Sequence, residues 1–258
     1  PSLHAYHQWC YGHNRVHHGH TVKLGADFVW HPVSPDEFRQ MNLIQRMLHR
    51  LYWSPFGAGP YYLIQIWLRG MVLYTAPQKG ALRDKLFVTF FALGVSAGLF
   101  ALGGFGQGSF DSMAGLWLWT KMFLVPFILW NYVIGFAVYV HHINDQIPWK
   151  DRKDWSPAYG QLFGTVNYHI PAAFNFFFHN IFIHMPHHVQ VRIPFYNLKH
   201  ALEGIKSVYG DYVIERKSLF RDYFRATMKC KLFDPEKGHW LSYREGRQAA
   251  LGAPVASS

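Results

Sequence analysis

The chain has 258 residues, 50% of them hydrophobic and only 16% charged, which excludes a disordered or solvating segment. Its two cysteines, Cys10 and Cys230, exclude a disulfide scaffold, a zinc ribbon and a cysteine-ligated iron–sulfur centre. The formal net charge is +10, and 17 histidines outnumber the 15 carboxylates, an excess that the sequence must explain.

The chain begins at Pro1, without Met, and is rich in histidine from the start. No signal peptide is recognisable, and further sequence is expected upstream of Pro1. The first cluster is His13-Asn-Arg-Val-His17-His18, with His20 just beyond. Positions three or four apart share one helix face, so His13 and His17 can point together. Pro35 to Tyr52 reads as an amphipathic helix. Pro60 to Ala76 is apolar and aromatic with Arg69 near its middle, and reads as a helix lying in a membrane interface.

Leu86 to Phe110 is uncharged throughout, and so is Met122 to Val140. A membrane helix needs about 20 apolar residues, so spans are expected at about 86–106 and 120–140. The loop from about Gly106 to Met113 has no Lys or Arg, whereas residues 1–85 hold nine and residues 149–258 hold fifteen. That asymmetry places both flanks in the cytoplasm. It also accounts for the positive charge without nucleic acid, for which no binding motif is present.

His141-His142 stands at the end of the second span. Lys150 to Ser156 reads as a polar loop. The second cluster is His184-Met-Pro-His187-His188, again at helical spacing. Asn197 to Tyr209 and Leu219 to Lys229 read as helices, and 247–258 as a frayed tail. Two spans return the chain to the side it left, so both clusters can meet at one membrane surface. Seven or eight imidazoles exceed the four to six positions of one metal and suit two. The remaining histidines, His20, His31, His49, His169, His200 and His239, read as surface or structural.

HNRVHH, HHINDQIPW and FHNIFIHMPHHVQVRIPFYNL resemble the second histidine box, the intermediate motif and the third box of membrane fatty-acid desaturases. AYHQWCYGH, WHP at Trp30–Pro32 and QLFGTVNYHIP at Gln161–Pro171 are similar to that family too. The branch most resembled is the acyl-lipid omega-6 desaturases of cyanobacteria and plastids. The second box departs from the commoner HxxHH by one residue, Val16. The family's first box is not found: His4 and His7 lie too close to the second, so that box is expected upstream and the chain as given is expected to lack two ligands.

The resemblance implies an all-α integral membrane protein, with two spans, an interfacial helix and a cytoplasmic helical cap, as a single domain over 1–258. It implies two iron ions, dioxygen as co-substrate, and insertion of a cis double bond into a membrane-lipid or fatty-acyl chain. Carried over residue by residue, the ligands are His13, His17, His18, His184, His187 and His188, with His142 as the intermediate one. His141 and His179 are further from the metals or exchange roles with His142, and Asn180 and Asp145 are candidates to orient imidazole N–H groups. No haem motif, cysteine cluster or dinucleotide-binding glycine unit is present, so electrons are expected from a separate ferredoxin-like donor with its reductase. The competing readings are another histidine-box oxygenase, such as an alkane or carotenoid hydroxylase, and a non-catalytic membrane metal-binding protein.

Overall fold

The computed structural model describes residues 2–106 and 108–250. It is mostly helical, and the described residues divide into two compact units, 2–13 with 58–106 and 108–136, and 14–57 with 137–250.

The first unit is dominated by apolar helix. Residues Ala81–Gly104 form one helix of mean hydropathy 2.1, and Ser112–His142 a second of 31 residues and mean hydropathy 1.9. Both are long and apolar enough to cross a bilayer. The first starts five residues earlier than the uncharged run because Arg83, Asp84 and Lys85 continue its helical pattern. Asp111 caps the second, its carboxylate accepting from the amides of Met113 and Ala114. The aromatic segment read as interfacial is helical over Ala58–Tyr61 and Tyr62–Leu73, the latter with the wider i→i+5 turn. Trp67 donates its indole N–H to the Leu3 carbonyl, and Asp84 binds both the amide and the ring of His7.

The second unit holds the last six residues of Ser112–His142 and the loops around them. Its core is aromatic: Trp30, Trp149, Tyr139, Tyr168 and Phe233 are fully buried with Ile143, Ile147 and Leu241. The segment read as one helix over 35–52 is two, Pro35–Gln40 and Leu43–Tyr52 (α1). Each opens with a capping box, Ser34 with Glu37 and Asn42 with Gln45, and the second box interrupts the first helix. Two short ribbons depart from an all-helical reading. Strand β1 (Val166–Tyr168) pairs in parallel with β2 (Ile214–Arg216), Val166 opposite Ile214. Strand β3 (Leu232–Asp234) pairs antiparallel with β4 (His239–Leu241).

Helix Met185–Val189 carries the second histidine cluster. Leu198–Tyr209 follows and buries Leu198 and Leu202 against Ile183. Helix α2 (Leu219–Lys229) has the bounds its periodicity predicts. Tyr243–Ala250 is helical, so the first part of the segment read as a tail is ordered, and the rest lies outside the described residues.

Candidate metal centre

Four imidazoles from three distant stretches meet in the second unit. His142 is the last residue of its long helix, His17 ends the helix Cys10–His17, and His184 and His188 lie one turn apart at Met185–Val189. The Nε2 of His142 is 3.2 Å from that of His17 and 3.2 Å from that of His184, and the Nε2 of His188 is 3.1 Å from that of His184. All four residues are at most 5% exposed.

The other ring nitrogen of each is already committed. His17 Nδ1 lies 2.9 Å from the Asp27 carboxylate, His142 Nδ1 donates to the Gly164 carbonyl at 3.0 Å, and His184 Nδ1 to the Ile181 carbonyl at 3.2 Å. His188 Nδ1 faces the Thr21 hydroxyl at 3.0 Å, whose own proton goes to the His17 carbonyl. These oxygen acceptors require Nδ1–H on each ring, so all four Nε2 lone pairs are turned inward at one another. Such a cluster is repulsive unless a cation or protons occupy its middle. Two nitrogens held about 2.1 Å from one metal lie about 3.0 Å apart at a right angle and about 3.4 Å apart at the tetrahedral angle. The observed spacings fall in that window, so the donor set fits a metal ion. His17, His142 and His188 each bring a ligand atom within 4.8 Å of the others.

Burial pushes three of these rings toward the neutral, ligand-competent form. His17 is lowered to about 3, and His184 and His188 well below the usual imidazole range, with neighbouring histidines adding to the effect. Burial pushes the Asp27 carboxyl up to about 8, against the pull of the Val29 and Val22 amides that donate to it.

Around this group, His18 stacks on His188 with centroids 4.0 Å apart and planes 4° from parallel, and lies edge-on to His187 at 4.6 Å. His141 stacks on His184 at 3.9 Å, and its buried Nε2 has no hydrogen-bond partner among the described residues. His13 is the last residue of the first unit and stacks on Trp9 at 4.5 Å. His179 is exposed, in a left-handed turn beside the Phe195 ring. Asn180 donates to the Phe195 carbonyl, and Asp145 pairs with Arg225 at 2.9 Å, so neither touches an imidazole through these bonds.

Four supporting residues escaped the sequence reading. Asp27 is the carboxylate that orients His17. It also holds the loop's strained start, where Val22, a β-branched residue, sits at φ 54. Thr21 orients His188. Asn167 on β1 accepts both the His184 and Met185 amides, at 2.9 and 3.0 Å, and so fixes the entry to the second cluster. Gly164 supplies the carbonyl for His142 at a point where a Cβ would stand 2.7 Å from the Thr21 methyl. Only Asp27 had a signal to be found by: a carboxylate ten residues after His17 of the first cluster in a carboxylate-poor chain.

Two membrane-length apolar helices, together with buried imidazoles that converge their lone pairs, fit a helical membrane protein with a histidine-lined site that could hold a metal ion. The chain belongs to the fatty acid desaturase family, whose profile matches residues 1–220. It is 28% identical to an sn-1 oleoyl-lipid 12-desaturase of Synechocystis over 93% of its own length and 65% of that enzyme's. It is 30% identical to the chloroplastic omega-6 fatty acid desaturase of Glycine max, covering 92% of this chain and 53% of that one. An sn-1 acyl-lipid omega-3 desaturase (ferredoxin) of Synechocystis is 28% identical over 95% of this chain. The chain thus spans between half and two thirds of the length of these relatives.

Proposed function

We propose that the protein takes part in oxygen-dependent desaturation of a lipid-linked acyl chain, with omega-6 selectivity, at a two-iron centre on the cytoplasmic side of a membrane. The observation that carries this reading is the convergence of the His17, His142, His184 and His188 Nε2 lone pairs in a buried pocket of a desaturase-family chain. These four are the ligands of one group. His13, His18 and His187 are assigned to the other from their places in the two boxes, with His141 as a further donor. An iron pair supplies, when bound, the oxidising power needed to remove hydrogen from an unactivated acyl chain, which no side-chain acid or base can do.

The chain's own residues hold and shield. Asp27, Gly164, Ile181 and Thr21 fix each ring with its Nε2 inward, and burial keeps the imidazoles neutral and excludes water. Mostly neutral ligands leave the positive charge of a metal largely uncompensated, which favours reduction by an outside donor. The ferredoxin in one relative's name and the +10 charge of this chain support an acidic iron–sulfur donor. The Lys and Arg asymmetry across the two long helices supports the cytoplasmic assignment.

The test is expression of the full-length protein in a host whose lipids carry one double bond per acyl chain, followed by mass spectrometry of the lipids and iron analysis of the purified protein. A loss of two hydrogens, abolished by His184→Ala while membrane insertion persists, is the expected outcome. Gain of an oxygen atom would instead assign a hydroxylase. Iron-loaded protein with unchanged lipids would overturn the catalytic reading.

A further inference from the structure

Helices α1 and α2 of the second unit each bury one face and expose an apolar one. On α1, His49 and Tyr52 are buried while Leu43, Ile44, Met47, Leu48 and Leu51 are exposed, Leu43 to 74% and Ile44 to 69%. On α2, Asp222, Tyr223, Ala226 and Thr227 are buried while Phe220, Phe224 and Met228 are exposed by 54% or more. Phe56, between the end of α1 and the next helix, is 75% exposed. A soluble monomer rarely leaves such an extended apolar surface uncovered.

The two faces are tied to one level of the molecule. Tyr223 of α2 donates to the Pro55 carbonyl at 2.8 Å, and Lys231 just after α2 donates to the Trp53 carbonyl at the end of α1. Both helices reach Tyr139, with Tyr223 within α2 5.4 Å and Trp53 at the end of α1 6.2 Å from its ring. Tyr139 lies one turn before the end of Ser112–His142, where that helix leaves its apolar stretch. The two helices therefore pack at the end of Ser112–His142, whose last six residues belong to the same unit. The charges the two helices carry are lopsided: Arg46, Arg50, Arg221, Arg225 and Lys229 against a single acid, the buried Asp222, with Arg225 also paired to Asp145 from outside them.

We infer that the apolar faces of α1 and α2 lie in the headgroup region of an anionic lipid leaflet. They would form a peripheral membrane contact of the second unit. An amphipathic helix buries its apolar face about 5–10 Å below the surface while its cations stay with anionic headgroups. The inference rests on the reading of Ser112–His142 as membrane-spanning, and the experiment separates the two.

Single spin labels are placed at Leu48→Cys, Phe224→Cys, Leu93→Cys and Lys237→Cys in the full chain with Cys10→Ser and Cys230→Ser, in phosphatidylcholine vesicles with and without phosphatidylglycerol. Accessibility to oxygen is compared with accessibility to a water-soluble nickel chelate. Leu48 and Phe224 are expected to report a shallow position, between the deep Leu93 and the aqueous Lys237. Phosphatidylglycerol is expected to draw them deeper, and Arg46→Gln with Arg221→Gln to remove that shift. Aqueous Leu48 and Phe224 beside a deep Leu93 would overturn the inference alone. Labels shielded from both reagents would overturn it in favour of a protein partner or a second copy. A Leu93 as wet as Lys237 would overturn the spanning reading and the inference with it.

Discussion

Asp27 is one of few carboxylates in the chain and the one spent on an imidazole of the buried cluster. Its Oδ1 accepts from His17 Nδ1 and the Val29 amide, its Oδ2 from the Val22 amide. Asn cannot accept all three, because its NH2 would face a donor. Asp27→Asn is therefore expected to free the His17 ring and weaken metal binding by about 10–100-fold. Competition titration with cobalt(II), followed by visible absorption, checks it, and affinity unchanged within twofold would refute the role. Gly164 makes a different demand. A Cβ there meets the Gly160 carbonyl and the Thr21 methyl, and the residue's own carbonyl serves His142. Gly164→Ala is expected to cost about 1–3 kcal/mol in denaturant unfolding from overpacking. It should weaken metal binding too, since Thr21 and His142 are displaced together.

At the scale of elements, the run lengths and periods were readable and the breaks were not. The two long helices follow from uncharged stretches, and Leu219–Lys229 from its 3.6-residue apolar spacing. The division of 35–52 was written in the Ser34/Glu37 and Asn42/Gln45 spacings, but the apolar periodicity runs through it and hid the second cap. Strands of three residues are shorter than any pattern can announce. The histidines were legible as clusters; Thr21, Gly164 and Asn167 were not, because they act across separations such as the 167 residues between Thr21 and His188. The extra Val16 is absorbed by the wide turn of Cys10–His17, since an i→i+5 helix takes up one more residue per turn. His49 on α1, read as structural, is buried against Tyr243, its Nδ1 2.8 Å from the Tyr243 hydroxyl. Burial, then Lys231 and Arg50, lower it to about 4. The folded form resists protonation that the unfolded chain accepts near 6.5, so stability is full above 6.5 and is lost as pH falls from 6.5 toward 4. The loss reaches at most about 3 kcal/mol for this group. His49→Gln should flatten that part of the pH dependence of unfolding; an unchanged profile would exclude His49 as its source.

Across the whole chain, residues 17, 142 and the pair 184 and 188 come from three stretches far apart in sequence and converge through side chains that repel one another when nothing lies between them. Their imidazole lone pairs face inward at 3.1–3.2 Å, and the rings cannot relieve the repulsion by protonation, because burial holds His17, His184 and His188 neutral. A metal ion that binds the folded state alone would turn this liability into a cross-link among three segments. The stabilisation follows mass action and reaches about 2.7 kcal/mol when free metal is a hundredfold above its dissociation constant. Stripping metal with a chelator should therefore lower the melting temperature of the second unit and speed proteolysis in the loops at 19–34 and 150–156, which border the cluster. The apolar helix Ala81–Gly104, whose residues take no part in the cluster, should keep its helical signal through the same treatment. Readdition of iron(II) should restore the melting temperature, whereas magnesium, which prefers oxygen ligands, should not. A chelator-treated protein with an unshifted transition and unchanged cleavage would mean that the four imidazoles hold no structural metal.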